Sequence, residues 1–232
     1  MKISRTHKPE DLSLEEWQRI LRKQYGEQQK YKLDNTGNHP LFSEFKLTNS
    51  ESGKVYKIAI RGDAPGDNYC SCPDYSINNL GTCKHIEFTL SRLMEKKGAK
   101  KALREGYTPP YSEVYLRYGL KRDVRFKAGK DASPEVLSLV NKYFDPNGML
   151  KEDYILHFHQ FLNNISQKNG HEIRCYDDVM AHIAEYQDAE HRRNIIKSQL
   201  KGGINSPIVK NILKTKLYPY QREGALFAVN AG

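Results

Sequence analysis

The chain predicts an α+β protein, with a small β-hairpin and helix domain stapled by a metal ion ahead of a mixed α/β domain. Three observations carry that prediction. Apolar residues alternate on either side of a turn at residues 50–53. Cys70, Cys72, Cys83 and His85 then follow at metal-ligand spacing. Beyond Thr108-Pro109-Pro110 the pattern changes to interleaved helices and strands. The boundaries so read are 1–107 for an N-terminal helix with the stapled domain, 108–204 for a mixed α/β connecting domain, and 205–232 for the start of a third.

Ser13 and Glu16 form the signature of a capping box, with Leu12 and Trp17 as a hydrophobic staple, so a helix starts here with Leu14, Trp17 and Leu21 on one face. It should run to about Tyr25, ahead of the polar, turn-rich residues 34–40. Phe45 and Leu47 alternate with polar neighbours, and Tyr56, Ile58 and Ile60 alternate again after the turn. This is a hairpin whose second strand points toward the cysteines. Ile86, Leu90, Leu93 and Met94 recur at helical spacing, and Lys96-Lys97-Gly98 supplies basic charge and glycine at that helix's C-terminal end. Pro109 and Pro110 read as a joint, because proline lacks a backbone donor and restricts the residue before it. Residues 111–127 then read as strands, 134–144 and 154–165 as helices, 172–176 as a strand, and 178 to about 200 as a helix. Tyr154, Phe158, Phe161, Leu162 and Ile165 make an apolar stripe of the kind that faces a core.

A length of 232 residues suits one or two domains, and two is the expectation. Charged residues reach 28%, yet 15 Tyr, 8 Phe and one Trp supply the apolar surface that packing needs, which argues against wholesale disorder. No apolar run approaches the roughly 18 residues of a spanning helix. The polar residues 2–10 also lack the apolar stretch of a signal peptide. No membrane partner is expected, and the cytoplasm is the expected compartment. The net charge of +9 is uneven, since residues 96–130 hold eleven Lys or Arg against Glu105, Glu113 and Asp123. Such a block attracts phosphate by Coulomb forces and counterion release, and it also suits a solvated surface.

Cys70-Ser71-Cys72 and Cys83-Lys84-His85 stand ten residues apart, offering three soft sulfurs and one imidazole nitrogen. Zinc accepts such donors tetrahedrally, and four protein ligands leave no open position for water, so one structural zinc is expected rather than a catalytic one. The first pair lies at the end of a hairpin and the second at the start of a helix, where a single ion ties the two layers of a small domain together. Free buried thiols beside a chance histidine are the alternative. Cys175 stands far from the cluster and reads as a small buried hydrophobe. His157, His159, His171, His182 and His191 have no metal-type spacing in company with cysteine.

This ligand pattern with a helix behind it resembles the SWIM zinc finger. Asn68-Tyr69-Cys70-Ser71-Cys72-Pro73-Asp74 with Leu80-Gly81-Thr82-Cys83-Lys84-His85 looks like that finger as found ahead of certain bacterial helicase-like ATPases. Leu217-Tyr218-Pro219-Tyr220-Gln221-Arg222-Glu223-Gly224 resembles the opening of the Swi/Snf-type ATPase core, a likeness that implies an adenine contact for Gln221. Finger and motif stand in the order the family uses. The resemblance implies the N-terminal region of a longer DNA-dependent ATPase of the bacterial cytosol and nucleoid, with residues 111–200 joining finger to motor. ATP and magnesium would belong to that full-length parent. A phosphate-binding loop ends in Gly-Lys-Ser/Thr, whereas Gly53-Lys54 precedes Val55 and Gly129-Lys130 precedes Asp131. The chain is therefore expected to be no enzyme by itself and to stop short of the phosphate loop.

On that reading the finger is a scaffold, and Arg117, Lys121, Arg122, Arg125 and Lys127 contact DNA phosphates. Tyr115 and Tyr118 interleave with those charges, where they can stack on bases or, as strand residues, pack against neighbours. A finger that docks protein partners is the alternative. A metal-dependent nuclease is the third reading, with Asp145, Glu172, Asp177 or Asp178 around magnesium, although paired aspartates equally suit a helix N-terminus.

Overall fold

In the computed structural model, which describes residues 3–166, 170–199, 207 and 217–231, an antiparallel meander precedes and includes the first cysteine. Strands β1 (Tyr31–Asn35), β2 (Glu44–Asn49), β3 (Val55–Ala59) and β4 (Tyr69–Cys70) pair in that order. β2 and β3 are the expected hairpin, with Phe45 opposite Ile58 and Leu47 opposite Tyr56. Cys70 in turn lies opposite Ile58. Facing residues project to the same side of a sheet, so the alternation that buries Phe45, Leu47 and Ile58 also carries Cys70 into the core. The sequence did not mark β1 or β4 as strands, since Asp34 interrupts the alternation of one and the other is two residues long.

Helix α1 (Leu14–Glu27) opens with the expected capping box, Ser13 N–H donating to Glu16 Oε2 at 2.9 Å and Glu16 N–H to Ser13 Oγ at 3.2 Å. Helices α2 (Pro73–Ile77), α3 (Lys84–Met94) and α4 (Ala99–Glu105) follow the meander. Gly26 of α1 lets that helix pass against the start of α3, because a Cβ there would lie 2.5 Å from the Lys84 carbonyl oxygen. α3 turns Ile86, Phe88, Leu90 and Leu93 inward.

The second sheet has the order β6-β5-β7, from β5 (Ser112–Arg117), β6 (Asp123–Lys127) and β7 (Ile173–Cys175). β5 runs antiparallel to β6 and parallel to β7. Val114, Leu116, Val124 and Phe126 fill one face, and α5 (Pro134–Tyr143) buries Val136, Val140 and Tyr143. Contacts group Met1–Leu150 and Lys168–Tyr176 into one compact unit, and Lys151–Gln167 with Asp177–Gly232 into another. The joint read at Thr108-Pro109-Pro110 thus lies inside the first unit. Pro109 is buried, its carbonyl accepts from Lys130 N–H at 2.8 Å, and a Cβ on Gly129 would lie 2.4 Å from the Tyr111 backbone. Chain this closely packed is no linker.

In the second unit, a 3-10 turn (Glu152–Tyr154) precedes α6 (Phe158–Ser166), then α7 (Asp177–Gln199) and α8 (Pro219–Ala231). The single helix expected over 154–165 is thereby split, though Phe158, Phe161 and Ile165 of its stripe are buried and Leu162 and Tyr154 half-buried. Most of residues 200–216, including the beginning of the third segment, lie outside the described residues. No helix among the described residues is long and apolar enough to cross a membrane.

Candidate metal centre

A strand end and two helix starts place Cys70, Cys72, Cys83 and His85. Cys70 ends β4, where Ser71 N–H donates to the Lys57 carbonyl at 3.0 Å and Ser71 Oγ accepts from Lys57 N–H at 2.9 Å. Cys72 is the N-cap of α2, its sulfur accepting from Tyr75 N–H at 3.4 Å. Cys83 is the N-cap of α3, and His85 lies in that helix's first turn. The ten residues between the pairs are braced rather than loose. Arg22 pairs with Asp74 at 2.9 Å, Arg19 donates to the Leu80 carbonyl at 2.8 Å, and Asn78 reaches the Thr82 carbonyl at 3.1 Å. Gly81 takes φ +69°, and a Cβ there would lie 2.6 Å from Gly66 N and 2.7 Å from the Tyr118 oxygen. Only glycine fits this turn into the second pair.

The four ligand atoms lie within 4.8 Å of one another, and all four residues are buried. His85 Nδ1 is 3.8 Å from Cys70 Sγ and 4.0 Å from Cys83 Sγ. The imidazole stacks on Tyr56 with centroids 4.2 Å apart and meets Tyr31 at 5.3 Å, so its plane is fixed by the sheet. The neighbouring sulfurs also shift one another's pKa in opposite directions. Hydrogen bonds from the Cys70 and Cys83 thiols, with the Tyr75 amide, hold Cys72 well below the usual thiol range. Hydrogen bonding to Cys72 and Cys83 pushes Cys70 up, and burial does the same for Cys83. Three buried cysteine sulfurs and an imidazole nitrogen are the donor set of a metal site, and this Cys3His group can hold one ion. It is the sole such group of His, Cys, Asp and Glu among the described residues.

Comparison with protein-family models, with curated proteins and with solved structures finds no match for the chain.

The remaining residues singled out in the sequence lie outside the Cys3His group. Arg117, Arg125 and Lys127 alternate on one face of β5 and β6, while Lys121 and Arg122 lie in the turn between those strands. Arg117 is held by Asp67 at 3.1 Å, Arg125 by Asp123 at 2.7 Å, and Arg122 by the Ser76 carbonyl. Lys121 and Lys127 have no such pairing among the described residues. Tyr118 is buried against Tyr75 at 4.4 Å, and Tyr115 is half-buried under the Arg61 guanidinium at 4.9 Å. Gln221 accepts from Tyr218 N–H at 3.0 Å at the start of α8. Cys175 is half-buried rather than buried, because β7 is an edge strand. Among the carboxylates, Asp145 accepts from the Asn147 and Met149 amides, Glu172 holds Arg174, and Asp177 and Asp178 occupy the first turn of α7. The sequence reading missed Tyr31 and Tyr56 as the imidazole's supports. Tyr56 alternates with Ile58 and Ile60, which was the available signal.

Proposed function

We propose that the chain is a zinc-bound, SWIM-like finger module that engages DNA, in the N-terminal region of a Swi/Snf-type helicase-like ATPase. The observation that carries it is the closed, buried Cys3His group formed from a strand end and two helix starts. Zinc–sulfur and zinc–nitrogen bonds of about 2.3 and 2.0–2.1 Å place tetrahedral neighbours about 3.5–3.8 Å apart. The 3.8 and 4.0 Å separations at His85 fit that ion with small side-chain shifts. With four protein ligands, zinc bound here would supply structure and leave no position for an activated water. The excess charge of residues 96–130 supports phosphate contact, and of the five basic residues on and between β5 and β6, Lys121 and Lys127 have no hydrogen bond or ion pair among the described residues.

Elemental analysis of protein purified without chelator should give one zinc per chain, and less than half an equivalent would sink the metal reading. DNA affinity should fall steeply with salt. A protein-docking reading is favoured by exposed Ile77 and Leu120, which flank the Arg122 to Ser76 contact. Salt-independent retention of a protein partner, with no DNA binding, would select it.

A further inference from the structure

The first unit contains a cavity of about 530 Å³, within the 300–1,000 Å³ range of small-ligand pockets. Two clusters of its lining matter. In the second sheet the register sets Glu113 beside both Lys127 and Arg174, so the three stand abreast on the face opposite Val114 and Phe126. Glu113 is already engaged, by the Tyr176 hydroxyl at 2.6 Å and by Arg61 at 3.7 Å. The Arg174 guanidinium carbon lies 3.5 Å from the centre of the Tyr111 ring, and Arg174 Nε donates to Glu172 at 2.7 Å. Its two terminal nitrogens have no further hydrogen bond among the described residues, and Lys127 has neither hydrogen bond nor ion pair among them. Burial lowers the Lys127 pKa, which marks an ammonium that an anion beside it would stabilise.

The second cluster is aromatic. His39, Phe42 and Tyr107 contact one another with centroids 4.4 to 5.3 Å apart, and Phe42 and Tyr107 lie within 16° of parallel. His39 Nδ1 accepts from the Leu41 and Phe42 amides at 3.1 and 2.9 Å, which leaves that nitrogen without a proton, and burial lowers the His39 pKa in the same direction. An aromatic surface, the Lys127 ammonium and the terminal nitrogens of Arg174 in one cavity select a ligand with a planar ring and an anionic group.

We propose that this cavity binds one nucleotide, its base on the His39, Phe42 and Tyr107 surface and its phosphate at Lys127 and Arg174. Glu44, Glu113 and Glu172 balance the three cations of the lining, so a bare phosphate gains little and the base supplies the selectivity. The inference deepens the nucleic-acid reading and rests on it where the nucleotide is an unstacked unit of a strand. A free mononucleotide offers the same chemistry.

The test uses the full zinc-loaded chain in anisotropy titrations with a labelled oligothymidylate single strand and a blunt duplex. Thymidine 5′-monophosphate and inorganic phosphate serve as competitors. The single strand should bind more tightly than the duplex, and the mononucleotide should compete where phosphate at the same concentration does not. Tyr107→Leu and the pair Lys127→Gln with Arg174→Gln should each weaken single-strand binding at least about fivefold, the lower end of one base stack. Zinc content and melting temperature verify the fold, and should a variant melt early, competition on the parent chain decides alone. Equal binding of both DNAs by parent and folded variants overturns the pocket and leaves the nucleic-acid reading standing. Competition by phosphate equal to that of the mononucleotide overturns the base-binding assignment. Mononucleotide binding without strand binding keeps the pocket and removes the nucleic-acid reading, and no binding at all removes both.

Discussion

Tyr31 meets the site imidazole at 5.3 Å with a hydroxyl that has no hydrogen-bond partner among the described residues. Burial, followed by the neighbouring Tyr25 and Tyr56 and the site sulfurs, pushes its pKa up to about 12. An unpaired buried hydroxyl costs about 1–3 kcal/mol, so Tyr31→Phe should keep the metal and hold or raise the melting temperature. Metal loss in elemental analysis would show instead that the hydroxyl donates to a thiolate. Glu87, the acceptor of Thr82 Oγ1 at 2.7 Å, has its pKa raised by burial. A folded value above the unfolded one means that ionised Glu87 opposes folding at neutral pH, and that this penalty vanishes below the unfolded value of about 4.5. Glu87→Gln keeps an acceptor for Thr82, so it should melt higher than the parent at pH 7. The gap should close as pH falls toward 4, and a constant gap in melts across that range would exclude the linkage. At this scale the Cys3His group was legible because soft donors recur there at short, metal-type spacing. The supports were not, since Tyr31 and Tyr56 reach His85 through a strand register that local pattern does not fix.

Where α1 crosses α3, helix propensity and tertiary packing oppose each other. Alanine is favoured over glycine by about 1 kcal/mol in a helix interior. At Gly26, however, a Cβ would stand 2.5 Å from the Lys84 oxygen and 3.1 Å from Phe88 N, both backbone atoms of the helix that carries His85. Neither can yield without moving the ligand turn. Gly26→Ala should therefore lower the melting temperature and weaken metal retention in a chelator competition, against its local propensity. A melt above the parent's would show that the helices separate freely. The elements that sequence disclosed were those with local signals: the capping box of α1, the alternation of β2 and β3, and the helical spacing in α3. β4 was invisible because two residues make a strand only by pairing with β3, and α2 because five residues capped by a ligand sulfur carry no periodicity. Pro109 and Pro110 looked like a linker since composition does not reveal that Lys130 and Gly129 close over them.

Across the whole first unit, the metal turn and the second sheet are joined through backbone as well as side chains. Gly66 N–H donates to the Gly81 carbonyl at 2.7 Å, Tyr118 N–H donates to the Gly66 carbonyl at 3.1 Å, and Tyr118 packs on Tyr75 of α2. Sequence placed a boundary between these parts, whereas the contacts bind them into one unit distinct from that holding α6 and α7. Metal removal tests which division governs cooperativity. Serine is a poor replacement for a thiolate ligand, so Cys83→Ser releases the N-terminus of α3 and the turn at Gly81 together. Loss at Gly81 frees Gly66, and loss of Gly66 removes the acceptor of the Tyr118 amide at the end of β5. Hydrogen exchange should then quicken at least about tenfold, or 1.4 kcal/mol, in β3, β4, α3 and β5 alike, while α6 and α7 keep their protection. The same pattern should follow chelation of the parent chain. Quickening that stops before residue 107 would make the finger an independent folding unit, and equal quickening in α6 and α7 would make the two contact-defined units one.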